Sequence, residues 1–187
     1  MPMYAKKHNS TFKPCPEGLW PGRCIDLVDK GMKATDYGPK HQVQIRWIAD
    51  AEPSRPDGKP YMVTAKYNLS MGKKAKLRLA IETWRGKVFT DQEAYSFDIE
   101  KLLGVQCQLQ VAQKEGDEGP YAFVQLVMRP AKGQNLPALA DYVRECNRPG
   151  YVAPVIPDDD EEPATIDSDD PFGGALPEVE QEERTPF

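Results

Sequence analysis

Between residues 61 and 128 the spacing of apolar positions changes period twice. Tyr61, Val63, Ala65, Tyr67 and Leu69 alternate with Met62, Thr64, Lys66 and Asn68. Such alternation in a stretch rich in aromatic and β-branched residues predicts a strand with the odd residues inward. From Lys73 the period lengthens, and Leu77, Ala80, Ile81 and Trp84 fall on one side of a helix that Ser70 can cap and Gly86 can end. Period two returns at Val105, Cys107, Leu109 and Val111, with Gln106, Gln108 and Gln110 facing the other way. Residues 116–120 (Gly-Asp-Glu-Gly-Pro) read as a turn, and 121–128 as the returning strand, with Ala122, Val124, Leu126 and Met128 on the core parity.

Two more strand-like runs lie upstream. Residues 25–29, led in by 18–23, predict the first strand; residues 41–50 predict the second, with Val43, Ile45, Trp47 and Ala49 inward. Asp57-Gly58 marks a turn in the connection between the second and third strands. The expected architecture is therefore mainly β: five strands with a helical connection between the third and fourth, which is the order of an OB-fold barrel. Thr90 and Glu93 form a capping-box pattern, residues 98–104 add a helical turn closed by glycine, and Leu136, Leu139, Ala140 and Val143 predict a short helix over 136–146.

Composition divides the chain. Its 187 residues, 40 % hydrophobic, suffice for one modest core, and 18 prolines with a mean hydropathy of -0.63 indicate that part of it is unpacked. From residue 151 onward twelve acidic side chains face one basic residue, Arg184, a net charge of about -11. The whole chain carries -5, so residues 1–150 hold about +6. The expected organisation is a flexible basic arm (1–17), a folded domain with a short C-terminal helix (18–150) and a disordered acidic tail (151–187). A basic body attracts polyanions, and a detached acidic segment competes for the same surface.

The chemistry follows from what is present and what is missing. The sequence has no Gly-rich phosphate loop, no H-E-x-x-H and no G-x-S-x-G, so no enzymatic role is expected. Cys15, Cys24, Cys107 and Cys146 form no C-x-x-C pair, and with only His8 and His41 beside them no metal site and no cofactor is expected. The N-terminus lacks an apolar signal region and no apolar run approaches membrane-spanning length, so a cytoplasmic protein with reduced thiols and no membrane partner is expected.

Binding residues are easier to nominate. Gln44, Arg46, Thr64, Lys66 and Asn68 share the outer parity of the second and third strands, and Tyr121 and Phe123 point outward from the last. Cations that follow phosphates and rings that stack on any base, at about 1–3 kcal/mol each, suit a single-stranded nucleic acid. The phosphate candidates are Lys33, Lys40, Arg46, Lys59, Lys66 and Lys73; the stacking candidates are Tyr37, Tyr121, Phe123 and Trp20, the last readable equally as a barrel plug. Lys73, Lys74, Lys76 and Arg78 crowd the helix start, where the macrodipole is already positive; the alternatives are a bound anion and a solvated face.

The tail ends Glu182-Glu183-Arg184-Thr185-Pro186-Phe187, with an internal Asp169-Asp170-Pro171-Phe172. Acidic sequence finished by proline and phenylalanine resembles the tails of bacterial and bacteriophage single-stranded DNA-binding proteins, and the strand order and basic loops resemble that family's OB-fold. The resemblance implies sequence-tolerant coating of single-stranded DNA in phage replication or recombination within a bacterial host cell. It also implies a tail that recruits replication and repair proteins and shields the DNA groove. The tail residues it points to are Asp169, Asp170, Phe172, Pro186 and Phe187. Arg184 and Thr185 stand where the bacterial pattern has an acid and a large aliphatic, so either Pro-Phe pair remains open as the docking element. Two rivals stay in view: an OB-fold protein-interaction adaptor whose tail is a spacer or decoy, and an RNA-binding protein. Homodimerisation through an edge strand is open as well.

Overall fold

In a computed structural model, which describes residues 13–36, 38–116, 119–139 and 141–155, five antiparallel strands form one sheet in the order β3-β2-β1-β4-β5. The strands are β1 (Gly18–Thr35), β2 (Gly38–Ala49), β3 (Tyr61–Asn68), β4 (Gln106–Gly116) and β5 (Gly119–Met128). Helices α1 (Lys76–Arg85) and α2 (Asp91–Tyr95), followed by a 3-10 turn (Ile99–Leu102), connect β3 to β4. The mainly β class and the helical connection agree with the sequence reading. β3 and β5 approach within 8 Å between Cα atoms, but no hydrogen-bonded ladder joins them among the described residues.

β1 is one long strand rather than the short run expected, and it is shared. Its first part, Gly18 to Arg23, pairs with β4, while Gly22 to Thr35 pairs with β2. Gly22 lies where the two pairings overlap, and a Cβ there would meet Leu109 Cδ1 at 2.5 Å. The register slips between Cys24 and Asp26 and again between Asp29 and Gly31. Each slip re-aims the side chains that follow, so Cys24 and Leu27 enter the core whereas Asp26 and Val28 face away from it opposite Arg46 and Gln44.

The core lies between the sheet's inner face and the helices. Val43, Ile45, Trp47 and Ala49 of β2, Tyr61 and Val63 of β3, and Cys107, Leu109 and Val111 of β4 pack with Leu77, Ile81 and Trp84 of α1. α1 ends as its sequence predicts, with Gly86 at φ 65° in the left-handed conformation. Its start differs, since the N-cap is Ala75, which makes no side-chain cap, and Ser70 lies outside the helix. Thr90 and Glu93 make the expected capping box.

Three more expectations change. In β5 a register shift opposite Gln110 and Val111 inverts the parity: Ala122 and Val124 pack on the core, then Val127 is buried and Leu126 exposed. Of the arm, Lys13 to Glu17 are described, and Cys15 is a core residue, held near β4 where Gln113 Nε2 donates to its carbonyl at 2.8 Å. No helix spans 136–146: the described residues hold only a 3-10 turn (Glu145–Asn147), and residues 129–139 and 141–155 run as an irregular strap over the outer face of β4, β1 and β2. Sheet groups recruit this segment through hydrogen bonds. Gln134 Nε2 donates to the Cys107 carbonyl at 2.7 Å, Arg23 donates to the Leu136 carbonyl at 3.0 Å, and the Tyr142 hydroxyl donates to Asp26 at 2.8 Å. Beneath the strap Val28 and Ile48 are buried on the non-core parity.

Candidate nucleic-acid interface

Pairing of β2 with β3 sets the site's frame. Gln42 opposes Asn68 and Gln44 opposes Lys66, and Gln42 Nε2 donates to Asn68 Oδ1 at 3.2 Å. The chain then turns through Ser70 and Gly72 into α1, which brings the helix start back beside the strand ends. The result is a cleft of about 520 Å³ lined by Lys40, Lys66, Tyr67, Asn68, Ser70, Lys74, Ala75 and Lys76. Four lysines line it and no carboxylate does.

Several features keep that charge uncompensated. The first turn of α1 contains no acidic residue and its N-cap supplies no side-chain acceptor, so the positive end of the helix adds to the lysines. One rung beyond β2's central part, Lys40 is the direct cross-strand partner of Lys33. Like charges placed opposite each other destabilise an isolated ladder, and an anion lying along the pair removes that cost. Tyr67 forms the apolar wall of the cleft: its ring packs against the core, and burial pushes its hydroxyl up to about 12, so it stays a neutral donor.

Of the sequence candidates, Lys40 and Lys66 meet in this cleft and Lys33 stands opposite Lys40 on β1. Lys73 is 76 % exposed just before the helix and pairs with Asp91 at 3.1 Å. Lys59 lies elsewhere, lining a pocket of about 200 Å³ with Arg55, Pro60, Tyr61 and the strap residues Leu136 and Leu139. Tyr121 and Phe123 do face outward, with ring centroids 6.4 Å apart and Tyr121 47 % exposed, but they do not line the lysine cleft. Trp20 takes the plug arrangement: it packs against the core and its Nε1 donates to the Pro16 carbonyl at 2.9 Å. Tyr37 and the tail residues Asp169, Asp170, Phe172, Pro186 and Phe187 lie outside the described residues.

Arg46 is not the open cation that strand parity suggests. Its side chain is 14 % exposed, donates to the Tyr142 hydroxyl at 3.3 Å, pairs with Glu145, and lies 3.6 Å from the fully buried Asp26. Burial alone lowers its pKa, and Tyr142 and Glu145 outweigh that and raise it. Arg78 is likewise committed, to Glu82 at 3.0 Å, the Phe89 carbonyl at 2.8 Å and Asp91 at 3.2 Å. The bond with Glu82 is the main cause of its raised pKa. The basic run at the helix start thus divides, Lys73, Lys74 and Lys76 facing solvent and Arg78 buried. Of the other cleft residues, the sequence placed Asn68 on the outer parity of the third strand and Lys74 and Lys76 in the basic run at the helix start, whereas Ser70, read there only as a helix cap, joins the cleft through the turn into α1.

Among the described residues no cluster of three or more His, Cys, Asp and Glu could hold a metal ion, and no helix is long and apolar enough to cross a membrane. No protein-family model and no curated protein matches this chain.

Proposed function

We propose that this protein binds single-stranded nucleic acid, DNA in the first place, without sequence preference, and that its sheet is an OB-fold whose barrel closes between β3 and β5. The strand order and the long β1 shared by both halves of the sheet support the fold. The observation that carries the function is the cleft with four lysines and no carboxylate. Phosphates follow Lys33, Lys40, Lys66, Lys74 and Lys76, and bases stack on Tyr121 and Phe123. By its resemblance to phage single-stranded DNA-binding proteins, the acidic tail competes with DNA for the basic surface and recruits replication or repair proteins. The role is one of binding and coating, with no catalytic step.

Fluorescence anisotropy of labelled oligo-dT over a salt series tests the reading. Binding should weaken linearly on logarithmic axes, since each released counterion contributes about 0.7 to the slope for a single strand. Changing Lys40, Lys66, Lys74 and Lys76 to Gln should flatten that slope by about 2–3. Oligo-rU run beside oligo-dT separates RNA from DNA binding, because only RNA offers 2′-hydroxyls. No binding to either at the lowest salt would remove the proposal and favour a protein adaptor.

A further inference from the structure

Glu145 sets a carboxylate between two cations of the sheet. Its carboxylate takes Lys30 Nζ at 3.2 Å and the Arg46 guanidinium, two cations on the outer face of β1 and β2. Burial works against the charge, but Lys30 and Arg46 prevail and hold the carboxyl below its ordinary range. Beside it Asp26 accepts from the Tyr142 hydroxyl at 2.8 Å, the Glu145 amide at 2.9 Å and Arg144 Nε at 3.4 Å. Arg144 also reaches Glu100 at 2.9 Å.

This attachment is almost wholly polar. No described residue from 141 to 155 is fully buried, Val143 is half exposed, and no strand ladder joins the segment to the sheet. Its internal backbone bonds are isolated turns, such as Asn147 N to the Arg144 carbonyl at 3.0 Å. Segments held by few buried apolar contacts open at low free energy, and ion pairs at partial exposure yield to competing ions. The basic track continues directly from here, since Lys30 precedes Lys33 by three residues on the same strand.

We propose that Lys30 and Arg46 form a second, latent phosphate-binding surface, closed by the chain's own Glu145, and that a single-stranded nucleic acid arriving along Lys33 and Lys40 displaces residues 142–151 to reach it. The inference rests on the nucleic-acid reading above. Asp26 stays paired with Arg46 when the strap lifts, so Lys30 carries the net charge of the opened face.

Hydrogen–deuterium exchange of the full chain, with and without saturating oligo-dT, together with anisotropy of the wild type and Glu145→Gln, tests it. Amides of residues 142–151 should lose protection when oligo-dT binds, and E145Q should bind roughly fivefold more tightly, the gain expected from releasing a partly exposed ion pair. Adding Lys30→Gln to the E145Q chain should flatten the salt slope by about 0.7. Unchanged or increased protection of 142–151 in the complex, with E145Q binding no tighter, overturns the latent surface while leaving wild-type binding, and hence the function, in place. If the wild type binds no oligonucleotide at the lowest salt, both fall. The exchange measurement uses the unmodified chain, so it decides the matter even if E145Q folds poorly.

Discussion

Replacing Asp26 with Asn is the most informative single change to the body of this protein. The carboxylate is fully buried, opposes Arg46 across the β1–β2 ladder, and receives a phenol, an amide and a second guanidinium. Burial raises the pKa of Tyr142, which keeps its hydroxyl a donor to that carboxylate. Asn keeps the shape, removes the charge and turns one acceptor into a donor facing donors. Breaking a buried ion pair by removing one partner costs about 3–5 kcal/mol. Here Arg46 retains Glu145, Arg144 retains Glu100, and the two arginines are 14 % and 27 % exposed, which moderates the loss. We expect about 2–3 kcal/mol, equivalent to one or two charge-assisted hydrogen bonds. Urea unfolding of the full chain, followed by tryptophan fluorescence, should show a lower midpoint at unchanged slope, and Tm should fall by roughly 5–10 °C. Tyr142→Phe, which deletes one neutral donor, should cost only about 1 kcal/mol. If D26N costs no more than Y142F, the charge on Asp26 contributes nothing and the account of this network is wrong.

Other expectations can be checked on the same preparation. Gly22→Ala places a methyl group against the fully buried Leu109 and against Cys107, so it should destabilise by about 1–3 kcal/mol in urea unfolding despite adding strand propensity. Thiol titration with a chromogenic disulfide at pH 8 should find Cys146 fast and the other three slow, since burial pushes Cys15 up to about 11, Cys24 up to about 12 and Cys107 higher still. Glu82 and Asp91 are lowered, Glu82 chiefly by the Phe89 amide and Asp91 chiefly by Lys73, and Glu145 is lowered by Lys30 and Arg46. Depressed carboxylates add stability above their unfolded pKa and lose it as they protonate. The unfolding midpoint should therefore fall steeply below about pH 4, and less so in Glu145→Gln.

Elements with a strong local period were legible in the sequence. The alternation in β2 and β3 and the Leu77, Ile81, Trp84 face of α1 fixed both element type and inward side, because each residue's position depends only on its near neighbours. Parity failed where the ladder slips opposite Gln110 in β5, because one extra residue flips every following side chain. The helix expected over 136–146 failed for a different reason. Pro137 lies within it, and Gln106, Arg23 and Asp26 satisfy its polar groups from the sheet, contacts between residues 30, 113 and 116 positions apart that no local pattern encodes. Arg46 was misplaced by the same omission, since parity gives a side chain's direction but not what will cover it. Half of the lysine cleft was readable from the strands and the basic run; its closure depends on the turn through residues 69–75.

The two pairings of β1 also set how the chain must fold. Every hairpin ladder here, β1 with β2, β2 with β3 and β4 with β5, joins neighbours in sequence and can form early. The ladder from Gly18 to Arg23 with β4 joins residues more than eighty positions apart, so it carries the largest loop-closure entropy. The folding rate should therefore respond to changes along Gly18 to Arg23 and Gln106 to Val111 more than to changes in any hairpin. On a ribosome, the long strand waits, already paired with β2, until β4 emerges to complete the sheet.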